Sequence, residues 1–204
     1  MEQTISHMEH RDDEASKMGM WIFIFTELLL FGGLFLVYAV FRAQYSHDFH
    51  IAAMELNAFV GTANTVILLV SSMTVALSIT ATQKGDYKLA VRLLLLTLFL
   101  AAFFMVNKYF EWSGKIHHGL YPGSEHMLNL NRGQLLFFGL YFATTGLHAL
   151  HVFVGMVILT VMMIRVKKGK ITKDNYAHLE NGGLYWHLVD LIWIFLFPLL
   201  YLIT

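Results

Sequence analysis

The chain is 204 residues long, 57% hydrophobic and only 14% charged, with a mean hydropathy of +0.58, a balance that excludes an ordinary small soluble enzyme. It has no cysteine, which rules out disulfides, thiolate metal ligands, iron–sulfur clusters and cysteine nucleophiles. Fourteen Lys and Arg offset fourteen Asp and Glu, so no basic surplus exists to hold nucleic acid.

Residues 1–18 read as a polar tail rich in Glu, Asp and His, expected to fray or to be tied down by a partner. The apolar run that follows is not a cleaved signal peptide, because no small-residue cleavage site follows it and four further runs do. Five runs reach the ~20 residues that a helix needs to cross a bilayer. They are Gly19–Phe41, Asn57–Thr80, Ala90–Trp112, Gly133–Ile164 and Leu184–Ile203. The fourth exceeds a plain span and is expected to tilt or to extend past the headgroups. No run shows the alternating polarity of barrel strands. The absence of an internal repeat, together with an odd number of spans, counts against an inverted-repeat transporter. Residues 19–204 therefore read as one all-α domain, a polytopic bundle of five transmembrane helices.

Basic residues predict its orientation. Ten of them (Arg11, Lys17, Lys84, Lys88, Arg92, Arg165, Lys167, Lys168, Lys170 and Lys173) fall on one side of the spans, and three (Arg42, Lys115 and Arg132) on the other. The N-terminus is thus expected in the cytoplasm and the C-terminus outside.

Ionisable residues inside a span are costly and point to function. Glu27 lies roughly 12 Å below the start of the first span. There the low dielectric disfavours a bare charge, so a protonated or shared-proton carboxyl is expected. Two roles fit it: a proton relay or antenna, and a neutral hydrogen-bonded cross-link between helices. His148 and His151 sit one turn apart on the fourth span, and His187 and Asp190 form a second i,i+3 pair on the fifth. The two pairs are expected to meet in a buried His–carboxylate network rather than at a metal. Lys108 and Glu111 read as an ion pair at the outer end of the third span, with Lys108 able to reach toward the headgroups. Glu180, just before the fifth span, is placed to cap it or to bond across to a loop. Asn64, Thr65, Ser71, Ser72 and Ser78, with Gly32, Gly33, Gly139, Gly146 and Gly155, suit close helix packing and interhelical hydrogen bonds. Trp21, Trp112 and Trp186 stand near span ends, as interfacial anchors or as a stripe facing a partner.

Five motifs occur in order, one per span: "GMWIFIFTELLLF" with Glu27, "NTVILLVSSMTVALS" from Asn64, "KYFEW" at Lys108–Trp112, "TTGLHALHVFVG" from Thr144, and "ENGGLYWHLVDLIWIFLFPLLY" from Glu180. From about Met18 onward the chain resembles subunit III of the haem–copper respiratory oxidases, in its short five-helix bacterial form. The resemblance implies a non-redox subunit of an aerobic terminal oxidase in the bacterial inner membrane. Such a subunit stabilises subunit I and supports proton uptake while dioxygen is reduced to water. It implies no cofactor or metal in this chain, the haems and copper residing in partner subunits. Subunit I is the implied principal partner, with subunit II and further small subunits beside it, and with bound phospholipid. Glu27 matches the family's carbodiimide-reactive carboxyl and His148 and His151 match histidines near it. Glu180, Trp186, His187 and Asp190 match the signature of the last helix.

Two features depart from the longest family members. The two N-terminal helices of those members are missing, so the family's lipid-filled cleft is expected to be absent or differently walled. Lys108 stands where many cytochrome c oxidases carry Gln, which weakens the assignment of an electron donor; cytochrome c is the expected donor, with a quinol oxidase as the alternative. A nitric-oxide-reductase accessory protein is the alternative within the same class. From another class, His148 or His151 with His187 would suit a haem b anchor.

Overall fold

Hydrocarbon offers a backbone no hydrogen-bond partner but itself, and the apolar runs accordingly form helices. The computed structural model describes residues 2–203, and within them the side chains of 15–203 other than that of Leu128. The helices are α1 (Glu2–Gln44), α2 (Ser46–Met54), α3 (Ala58–Gln83), α4 (Tyr87–His117), α5 (Glu125–Leu128), α6 (Arg132–Lys167) and α7 (Ala177–Tyr201). Five of them are long and apolar enough to cross a membrane, namely α3, α4, α6, α7 and the Ala15–Gln44 part of α1. The all-helical, polytopic architecture expected from hydropathy is therefore observed.

Local signals set the helix ends. Asn57 caps α3 by accepting from the amides of Phe59 and Val60 at 3.0 and 3.3 Å, and Asp86 caps α4 through Leu89 N–H at 3.0 Å. Between them Gly85 takes φ +78°, the left-handed conformation that lets α3 reverse into α4 over three residues.

Helices α3, α4, α6 and α7 pack side by side, and α1 lies against α6 and α7 at the edge. Polar residues fasten the bundle. Trp186 and Trp193 on α7 donate their indole N–H groups to Ser71 Oγ at 3.1 Å and Thr65 Oγ1 at 3.0 Å on α3. Thr74 and Thr97 join α3 to α4 at 2.7 Å, and Asn107 donates to Asn64 at 2.8 Å. Asn64, Thr65, Ser71, Ser72 and Thr74 of the second span thus act as interhelical glue, whereas Ser78 bonds only to the Val75 carbonyl on its own helix.

Several expectations are corrected. Trp186 is fully buried rather than interfacial, because Gly155 on α6 opens a slot for its ring: a Cβ there would sit 2.8 Å from it. Gly32, Gly33 and Gly139 face no neighbour within 4 Å, whereas Gly183 does the close packing, since a methyl at that position would come within 2.7 Å of Ile79. Helix α7 begins at Ala177, upstream of the apolar run, because its polar first turns pack on α1 at Ser16 and Lys17. There Asn181 Nδ2 donates to Ser16 Oγ at 2.8 Å and Lys17 pairs with Glu180 at 3.3 Å. The described end of the polar tail is held on α7; its earlier side chains lie outside the described residues.

Candidate functional site

The ionisable side chains separate into three groups. The first joins Glu27 on α1 to His151 on α6, 124 residues apart, with His151 Nε2 3.0 Å from Glu27 Oε2. The other ring nitrogen, Nδ1, lies 2.7 Å from the Leu147 carbonyl. A carbonyl only accepts, so Nδ1 carries a hydrogen. One further hydrogen must then lie between Nε2 and the carboxyl. Either a protonated Glu27 donates to a neutral imidazole, or an imidazolium donates to a carboxylate. Both descriptions contain the same proton, shared by the pair.

Packing holds this geometry. The edge of Phe31 meets the His151 ring at a centroid distance of 5.4 Å, and Tyr185 donates to the His151 carbonyl at 3.2 Å. The two side chains are 14% and 12% exposed. They open into a shallow cleft of about 390 Å³ between α1 and α6, walled by Met20, Phe23, Leu150 and Tyr185. The site is thus reachable from outside the bundle, yet mostly apolar in its lining.

The second group is sealed. Lys108 Nζ donates to Glu111 Oε2 at 3.2 Å, to Tyr201 Oη at 2.8 Å and to Tyr141 Oη at 3.3 Å. Both tyrosine hydroxyls donate in turn to Glu111 Oε1 at 2.5 Å. The ammonium also faces the rings of Tyr141, Trp193 and Tyr201 at 5.2–5.5 Å. The expected Lys108–Glu111 pair is present, but Lys108, only 3% exposed, turns into the bundle instead of toward the headgroups. Tyr141 and Tyr201 complete the charge pair, and nothing in their apolar sequence surroundings marks them for it.

The third group lies along α7. His187 Nδ1 is 2.6 Å from Ser72 Oγ on α3. Asp190, 3% exposed, has no hydrogen-bond partner on either carboxyl oxygen. His148, also buried, has none on either nitrogen and rests against Phe104 and Trp193 at 5.7 and 5.1 Å between centroids. The anticipated meeting of the α6 histidines with His187 and Asp190 does not occur. His151 turns to α1, His148 to an aromatic slot and His187 to α3, because residues three apart on a helix still diverge by about 60°. Glu180 pairs with Lys17 rather than with a loop. Among the described residues no group of three or more His, Asp or Glu converges as a metal site.

Comparison with known proteins fits this picture. Residues 4–204 match the model of the family described as cytochrome c oxidase subunit III. A probable cytochrome c oxidase subunit 3 of Nocardia farcinica is 31% identical, the alignment covering 97% of this chain and 92% of the relative. Cytochrome c oxidase subunit 3 of the tick Rhipicephalus sanguineus is also 31% identical, over 91% of this chain and 69% of its own. A haem–copper oxidase subunit I+III of Aeropyrum pernix is 30% identical over 99% of this chain, which spans only 24% of that longer protein. The match over nearly the whole chain, on five helices of membrane-spanning length, shows that the chain belongs to the cytochrome c oxidase subunit III family.

Proposed function

We propose that the chain is the third subunit of an aerobic terminal oxidase of the cytochrome c type. In this reading it packs against subunit I in a bacterial cell membrane, with its N-terminus in the cytoplasm, and supports proton uptake. Three things support it. The Aeropyrum relative carries subunits I and III in one name. Basic residues crowd one side of the spans. Large apolar side chains such as Leu28, Leu29 and Leu36 on α1 and Phe99, Phe103 and Phe110 on α4 are exposed, as surfaces for lipid or another membrane subunit would be.

The observation that carries the proton role is the Glu27–His151 contact. Its hydrogen-bond pattern requires one shared proton, and the site opens at a cleft instead of closing on itself. Such a pair changes its proton content with little movement, because the heavy atoms are already at hydrogen-bond distance. Electron transfer belongs to the partner chains.

Mild-detergent purification of the tagged chain, with mass identification of what accompanies it, tests the assignment. Subunits I and II should co-purify and give a haem spectrum, while the isolated chain is colourless. A copper-binding subunit II identifies cytochrome c as donor. A chain that purifies alone and carries b-type haem overturns the proposal.

A further inference from the structure

The first residue of α4, Tyr87, and the last of α6, Lys167, stand at the same end of the bundle, on the side where the basic residues gather. A groove of about 420 Å³ opens there between the two helices, and Tyr87, Val91 and Val166 line it with carbon. Its cations are Lys88 and Arg92, one turn apart on α4, and Lys167 on α6. All three are exposed, and among the described residues none of them pairs with a carboxylate. Asp86, the acid nearest in sequence, turns its carboxyl to the Leu89 N–H at 3.0 Å. The loop after α6 fixes the shape of the groove. Lys173 N–H donates to Tyr87 Oη at 3.2 Å, and Gly169, at φ +69°, turns the chain without bringing a side chain to the rim. From Val91 toward the middle of the span, α4 continues with Leu95, Phe99 and Phe103 at four-residue spacing, all exposed. The Glu27 cleft is a different place, on the flank of α6 that meets α1, and no Lys or Arg lines it.

We propose that this groove seats the headgroup of an anionic phospholipid, with its phosphate against Lys88, Arg92 and Lys167 and its acyl chains along the exposed face of α4. The charge pattern selects the ligand. Like charges one turn apart on a helix repel, and with no carboxylate beside them an anion from outside removes that repulsion. A guanidinium forks onto phosphate oxygens, and ammonium groups add point charges around them. A free phosphate would meet the cations and leave the carbon walls uncovered. A zwitterionic lipid would cover the walls but bring a fourth cation to the three already there. An anionic lipid answers both features. Because neither Glu27 nor His151 takes part, the inference stands apart from the role proposed for that pair.

Native mass spectrometry of the full-length chain, delipidated in detergent and titrated with dioleoylphosphatidylglycerol, tests it. Wild type should bind this lipid more tightly than dioleoylphosphatidylcholine or inorganic phosphate. Each cation near a membrane surface contributes about fivefold to the binding of an anionic lipid. Lys88→Gln with Arg92→Gln and Lys167→Gln should therefore weaken it by roughly a hundredfold, and Arg92→Gln alone by about fivefold. Lys84→Gln with Lys168→Gln and Lys170→Gln removes three cations of the same side that do not line the groove, and should leave the affinity near wild type. The proposal is overturned by a loss of less than about tenfold in the groove variant, or by an equal loss in the control variant, which would mean diffuse charge attraction. It is overturned as well if phosphatidylcholine or inorganic phosphate binds as tightly as phosphatidylglycerol. Should the triple variant fail to purify, Arg92→Gln decides, and an unchanged affinity there contradicts the site.

Discussion

The Lys108 cluster and the Glu27–His151 pair lie in one bundle, and both bury ionisable groups, yet they solve the problem oppositely. Around Lys108 and Glu111 two tyrosines close a ring of hydrogen bonds, and three aromatic faces shut out water. Between Glu27 and His151 there is one contact, one shared proton and an open cleft. The comparison separates a charge locked into a closed network from one that, in the role proposed for it, exchanges its proton. A closed network resists any change of proton number, because each change breaks several bonds at once. A single contact at a rim tolerates it.

The largest effect expected is at the closed site. Glu111→Ala leaves Lys108 buried without a counter-charge and should cost about 3–5 kcal/mol, read as a lowered midpoint of thermal unfolding in detergent or as loss of the subunit from the complex. The paired change Lys108→Met with Glu111→Leu should recover most of that loss. Wild-type stability in Glu111→Ala would erase the contrast drawn above. A smaller effect separates the packed face from the open one. Gly155→Ala drives a methyl to 2.8 Å from Trp186 and should cost about 1–3 kcal/mol. Gly139→Ala meets nothing within 4 Å and should change stability by less than about 0.5 kcal/mol. Equal melting temperatures for the two would mean that Gly155 does not seat the Trp186 ring. Smallest is Thr97→Val, which deletes one interhelical hydrogen bond to Thr74 and should cost about 0.6 kcal/mol by chemical denaturation.

The sequence discloses these regions unequally. The spans are legible because hydropathy and the ~30 Å hydrocarbon slab alone decide them, and Glu27 is legible as a carboxyl in an apolar run. Its partner is not, since His148 and His151 look alike on one helix and only the packing of α1 against α6 selects the second. The tyrosines that close the Lys108 ring resemble any aromatic in a membrane helix. Ser72 resembles any small residue of helix packing, although its hydroxyl meets His187 across from α3. Glycines show the same limit. Gly155 and Gly139 are equivalent as letters, and only the facing helix makes one a slot and leaves the other in the open. The short helices α2 and α5 escape hydropathy altogether, being too brief to span and too mixed in composition to form a run.

The most direct measurement is the turnover lifetime of the purified oxidase carrying Glu27→Gln. Glutamine keeps the shape and one hydrogen bond to His151 but cannot give or take the shared proton, so stability should fall by less than about 1 kcal/mol. Subunit content should match wild type, while the enzyme loses activity over markedly fewer catalytic cycles. An enzyme with the wild-type subunit content, turnover and lifetime would contradict the account and return Glu27 to the same structural class as Lys108.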